Sequence, residues 1–109
     1  MSSIDICVCT FRRPALADTL RSLAAMDMPP GYQIGMIVAD NDDVPSAAAL
    51  VEEMAGELPL AIRYVHCPAR NISIARNACL EASSTDFVAF IDDDEKATSQ
   101  WLARLAGAA

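Results

Sequence analysis

Four consecutive acids, Asp92-Asp93-Asp94-Glu95, follow an apolar run from Phe87 to Ile91. Asp92 and Asp94 stand two apart at the end of what reads as an extended segment, so their carboxylates leave on the same side, within reach of one hard cation. Mg²⁺ or Mn²⁺ fits best. Such ions take one or two carboxylates plus the phosphate oxygens of a substrate and need neither thiolate nor imidazole. A single Asp near a helix N-terminus would be explained by the helix dipole, but four acids in a row exceed what capping requires. The ligand implied is a nucleotide diphosphate.

A second acidic block, Asp40, Asp42 and Asp43, follows another apolar run, and with Asp86 the two blocks hold eight of the 15 acidic residues. Asp40 at a strand end could accept hydrogen bonds from a base imide or a ribose hydroxyl, or could simply close an Asx turn. Like charges this close repel, and Arg12, Arg13, Arg70 and Arg76 could return positive charge and pair with phosphate oxygens. His66, in an apolar run with no second His or convincing nucleophile nearby, reads as structural. With four glycines in all, the chain has no G-x-G-x-x-G, P-loop or G-x-S-x-G pattern, which disfavours a dinucleotide dehydrogenase, a P-loop kinase and a serine hydrolase.

The elements that must position these residues are legible as alternating runs. Ile4 to Thr10, Gln33 to Asp40, Ala61 to Cys67 and Phe87 to Asp92 read as buried strands. Pro14 to Met26, Ser46 to Leu58, Ile72 to Ala82 and a segment from about Ser99 have helical period. Pro14 suits a first helical turn, Ser46 and Ser99 suit N-caps, and Pro29-Pro30-Gly31 breaks the chain before the second strand. This βαβαβαβα pattern predicts an α/β domain, an open and mostly parallel sheet with helices on both faces. In such sheets ligands bind beyond the carboxyl ends of the strands, where the acids and arginines fall.

Composition sets the outer bounds. A chain of 109 residues is one domain at most, and at 53% apolar residues it holds a modest core. The net charge of −7, with a single Lys, excludes a nucleic-acid backbone as partner. The longest uncharged stretch, Met28 to Ala39, is far below the roughly 20 residues a transmembrane segment needs, and no secretory signal is present, so a cytoplasmic location is expected. Cys7, Cys9, Cys67 and Cys79 include no Cys-x-x-Cys pair and read as small buried hydrophobes in a reducing compartment.

Four segments in order, Val8-Cys9-Thr10-Phe11-Arg12-Arg13-Pro14, Val38-Ala39-Asp40-Asn41-Asp42, Asn71-Ile72-Ser73-Ile74-Ala75-Arg76-Asn77 and Phe90-Ile91-Asp92-Asp93-Asp94-Glu95, resemble the motifs of family 2 glycosyltransferases of the GT-A fold. Within that family the chain is most similar to bacterial succinoglycan-biosynthesis glucosyltransferases. The resemblance implies a Rossmann-like, nucleotide-sugar-binding half of a GT-A domain over residues 1–109. The enzyme would move a hexose, glucose by the nearest likeness, from a UDP-sugar donor to a saccharide or lipid-linked saccharide acceptor, with inversion and with Mg²⁺ or Mn²⁺. Thr10 and Phe11 would line the uracil pocket, Asp40 would hydrogen-bond the base, and Arg76 would order the nucleotide loop and balance the diphosphate. Arg12 and Asp93 belong to the same nucleotide-binding set. Asp92 to Asp94 would be the Asp-x-Asp motif, with Asp94 the main metal ligand and Asp92 near ribose and metal. Where members often carry Gly before Ser73, Asn71 stands here, a residue that tolerates the left-handed conformation next best.

The family places an acceptor-binding half, with the general base, after the Asp-x-Asp strand. No matching base is present in the sequence, so the catalytic residue is unassigned, and these residues alone are expected to bind donor without transferring sugar. Exposed apolar surface and self-association are expected of such a piece, and the full-length enzyme would sit in the cytoplasm, peripheral to the inner face of the membrane. Two other readings compete. Asp92 and Asp94 could be nucleophile and acid of an aspartyl-phosphate phosphatase, although such sites want Thr or Val where Lys96 stands. A non-catalytic acidic α/β module would bind Mg²⁺, or a partner, without regard to UDP.

Overall fold

The computed structural model describes residues 2–69 and 71–108. Strands β1 (Ser2–Thr10), β2 (Tyr32–Asp40), β3 (Ala61–His66) and β4 (Phe87–Asp92) alternate with helices α1 (Leu16–Ala25), α2 (Ala48–Glu57), α3 (Ile72–Ala82) and α4 (Trp101–Ala108). All strand pairs are parallel, and the sheet order is β3-β2-β1-β4. The expected α/β class and parallel sheet are therefore what the chain forms.

The order explains the layers. From β1 to β3 the chain steps one way across the sheet, then doubles back past β2 and β1 to reach β4. Right-handed crossovers taken in opposite directions put their helices on opposite faces. Along β1 the side chains divide accordingly. Ile4, Ile6 and Val8 join Leu16, Leu20 and Leu23 of α1, Val51 and Met54 of α2 and Leu102 of α4 in the larger core. Cys7, one residue out of phase, joins Ile37, Ala39 and the Ala75 and Cys79 of α3 in a smaller core on the other side. Cys7 and Cys9 do share a face, as their spacing predicts, and both lie in this second layer.

Helix α3 has the bounds its periodicity predicts, but the other starts differ. Helix α1 begins at Leu16, with Pro14 and Ala15 in the turn before it. Ser46 does not cap α2. That helix begins at Ala48, and the amide of Ala47 is taken by the Asp40 carboxylate at 2.9 Å, so the strand end supplies what the serine was expected to give. Ser99 is likewise not a cap next to α4, which starts at Trp101; its carbonyl accepts the Asp27 amide. Asn71 is extended, at φ −140°, rather than left-handed, and its side chain caps α3 by accepting from the Ser73 amide at 2.9 Å.

One close approach fixes the middle of the sheet. Asp5 is buried in β1, and its Oδ2 accepts from Arg63 of β3 at 3.3 Å and from Ser83 at 2.8 Å. Gly35, its register partner on β2, leaves room for it: a Cβ there would stand 2.9 Å from Asp5 Oδ1. The two hydrogen bonds hold the carboxylate, so it cannot swing away without losing them. Gly35→Ala is expected to lower unfolding free energy by about 1–3 kcal/mol, the usual range for overpacking. Chemical denaturation of the two proteins measures it, and equal midpoints would refute this account of Gly35.

Candidate functional site

The sheet changes direction between β1 and β4, and the carboxyl ends of the two strands meet there: Cys9 pairs in register with Asp92. This is where an open α/β sheet leaves a crevice. A hollow of about 230 Å³ lies at that point, lined by Cys9, Thr10, Phe11, Arg13, Asn41, Ile72 and Asp93. A second, of about 280 Å³, lies beside it on the α1–α2 side, lined by Thr10, Arg12, Arg13, Pro14, Leu16, Ser46, Ala47 and Leu50. Thr10 and Arg13 border both. A hollow of about 350 Å³ with an almost wholly apolar lining is elsewhere, between β4 and α4.

Of the residues singled out from sequence, Thr10, Phe11, Arg12 and Asp93 come together at this edge. Phe11 is 40% exposed, and Ile72, at the start of α3, is 53% exposed on the same hollow. Asp40 is different. It is fully buried, its Oδ1 accepts from the Asp42 amide at 3.0 Å, and its Oδ2 accepts from the Ala47 amide at 2.9 Å and the Tyr64 hydroxyl at 2.6 Å. Of the two roles its position allowed, the Asx turn is the one it has taken, and no part of its carboxylate faces the hollow. Burial and the bond to Asp40 push the Tyr64 hydroxyl up from its usual pKa.

Asn41 was not singled out, and it is the residue next along that lines the hollow. Its Nδ2 donates to the Cys67 carbonyl at 2.9 Å, leaving Oδ1 as its side-chain acceptor. The signal available in sequence was its place as the first polar residue beyond the strand.

The Asp-x-Asp segment also divides. Asp93 turns inward: its carboxylate accepts from the Phe11 amide at 3.4 Å and pairs with Arg13 at 3.4 Å, and its carbonyl accepts from Thr19 at 3.0 Å. It thereby splints the β1–α1 loop to the end of β4. Asp92 and Asp94 are exposed. Among the described residues no three His, Cys, Asp or Glu are grouped to hold a metal unaided, so a cation here would take the two exposed carboxylates and complete its shell from outside the chain. Oxygen donors of this kind fit Mg²⁺ or Mn²⁺.

The arginines are largely engaged. Arg12 Nε lies 2.7 Å from Asp42 Oδ2, and that carboxylate is fully buried. The Arg12 guanidinium holds Asp42 well below the usual carboxylate range. Arg76 is exposed on α3 and has no carboxylate partner within salt-bridge distance among the described residues. Arg70 lies outside the described residues. His66 Nε2 donates to the Asp42 carbonyl at 2.8 Å, a structural contact that closes the loop from the β3 side. The four cysteines are free thiols of one layer. Hydrogen bonding with Cys79, then burial, raises the Cys9 pKa, and Cys79 itself is pushed up to about 12, first by its bond with Cys7. Thiols held protonated in this way are poor nucleophiles.

Comparison with known proteins places the chain in a class of transferases, by its family model over nearly the whole length. The chain belongs to glycosyl transferase family 2, whose family model matches residues 5–109. It is similar to succinoglycan biosynthesis protein ExoM of Rhizobium meliloti (strain 1021), 62% identical over 102 residues, covering 94% of this chain and 33% of that protein. The chain thus spans about a third of the curated relative it matches. Among solved structures it is similar in fold to TarS of S. aureus, at TM-score 0.76 and 23% identity over 96% of this chain and 19% of TarS. A TarS fragment in complex with UDP-GlcNAc gives TM-score 0.77 and 23% identity over 96% of this chain and 30% of the fragment. No helix among the described residues is long and apolar enough to cross a membrane.

The Asp42–Arg12 pair has a pH signature. The folded value lies below the ordinary 3.8, so the pair contributes stability that is complete above the unfolded pKa and lost as pH falls toward the folded one. The melting temperature of wild type should exceed that of Asp42→Asn by a constant gap above about pH 5, and the gap should shrink below about pH 4. A gap indifferent to pH would show that Asp42 is not the ionised partner of Arg12.

Proposed function

We propose that residues 1–109 form the donor-binding part of an inverting transferase that moves a hexose, glucose, from UDP to a saccharide or lipid-linked oligosaccharide of exopolysaccharide synthesis. The observation that carries this is the hollow where β1 and β4 meet, with Phe11, Thr10 and Asn41 on its wall, the exposed Asp92 ending β4 and the exposed Asp94 in the turn that follows. Base recognition falls to that wall. Asn41 Oδ1 offers an acceptor for an imide N–H, Thr10 and Phe11 flank the ring, and the exposed Arg76 offers the diphosphate a positive charge. Thr10 Oγ1, buried and without a partner among the described residues, is a further polar group at this edge.

Asp92 and Asp94 would hold Mg²⁺ or Mn²⁺, and the ion when bound would neutralise charge on the departing diphosphate. Asp93 acts through the fold, keeping the β1–α1 loop against β4 so that Phe11 stays at the hollow. The base that deprotonates the acceptor hydroxyl is assigned to the part of the relatives' length that this chain does not span. The likeness to a protein named for succinoglycan biosynthesis supports the acceptor class, and a cytoplasmic enzyme peripheral to the inner face of the membrane goes with it. The exposed Phe87, Phe90 and Leu105 around the apolar β4–α4 hollow support self-association of the isolated chain.

Calorimetric titration of the chain with UDP, in Mn²⁺ and then in EDTA, tests the reading. Binding should need the metal, and Asp94→Ala should weaken it by about tenfold or more, since it removes one of two protein ligands. Absence of UDP binding by folded protein, or affinity unchanged by EDTA and by Asp94→Ala, overturns it.

A further inference from the structure

We infer that Asp42 is a positioning residue for base recognition: through Arg12 it holds the Phe11 ring as the wall on which the base stacks. The inference rests on the reading of the β1–β4 hollow as the base site. Asp42 belongs to the β2–α2 loop and lines neither hollow at this edge. It is fully buried, it reaches across to the β1–α1 loop through one 2.7 Å contact with Arg12 Nε, and its Oδ1 has no hydrogen-bond partner among the described residues. A carboxylate this buried is costly to the fold unless it is paired, and the ion pair that meets it comes from Arg12 of the other loop.

The φ of Arg12 is +49°, the one positive value for a non-glycine residue among those described, in a region that L-residues rarely adopt. Strain of this kind persists only where the surroundings impose it, and it gathers at ligand sites. The turn brings the Arg12 guanidinium carbon to 5.4 Å from the centroid of the Phe11 ring, within cation–π range. The Phe11 amide is meanwhile tied to Asp93 at 3.4 Å. The backbone of Phe11 is thus fixed from the end of β4 and its ring from the β2–α2 loop, and the ring, 40% exposed, lines the hollow. Arg12, expected from sequence to meet phosphate, has a carboxylate on one side and an aromatic face on the other.

The chain predicts coupling rather than a set of independent contacts. With UDP as probe in Mn²⁺, Asp42→Asn and Arg12→Gln should each weaken binding by about tenfold. The double variant should be no weaker than either single one. In a Phe11→Ala background, Asp42→Asn should cost nothing further, because its route to the base is already cut. A Phe11→Trp protein gives a second readout: UDP should quench the new indole relative to the Trp101 signal of wild type, and adding Asp42→Asn should abolish the quench while circular dichroism stays native. If Asp42→Asn does not fold, the exposed Arg12→Gln carries the same cycle against Phe11→Ala. Additive losses, an unchanged affinity in the single variants, or a quench that survives Asp42→Asn overturns the inference alone. Failure of wild type to bind UDP removes it together with the reading it rests on.

Discussion

The carboxylate of Asp40 is the constraint on which this end of the molecule depends. A buried charge is tolerated only when its oxygens are met by donors, and here three come from three directions: the amide of Asp42 in its own loop, the amide of Ala47 at the mouth of α2, and the hydroxyl of Tyr64 on β3. A single side chain therefore sets how β2 ends, where α2 begins and how β3 lies alongside. The site loops can be irregular because this anchor is not.

The acid excess is resolved by the same logic. Asp5, Asp42 and Asp93 are each buried or nearly so and each has an arginine, Arg63, Arg12 and Arg13 in turn. Asp92 and Asp94 stay in solvent, where their mutual repulsion is weakest and a cation can relieve it. Arg12 and Arg13 are already paired inside the protein, whereas Arg76, among the described residues, is exposed and without a carboxylate within salt-bridge distance.

Periodicity carried most of the fold. The apolar runs marked all four strands, and the helical spacing marked α3 to the residue, because in these segments local pattern and burial agree. Helix starts were less legible, since a carboxylate on a distant strand end can satisfy an amide that a neighbouring serine would otherwise take, as Asp40 does at Ala47. The site followed the same division. Positions such as Thr10, Phe11 and Asp92 follow from where strands end. Which way Asp40, Asn41 and Asp93 turn depends on partners that only the folded chain brings near, and sequence spacing carries no record of them.

The second core layer has a consequence of its own. Between the sheet and α3 lie Cys7, Cys79, Ala39 and Ala75, small side chains that let the helix ride low. Ile72, at the near end of that helix, forms part of the wall of the β1–β4 hollow. The layer works as a shim: its thickness sets how far the helix end stands above the strands, and so how deep the crevice is. The depth of the hollow is adjusted from behind, by residues that do not line it.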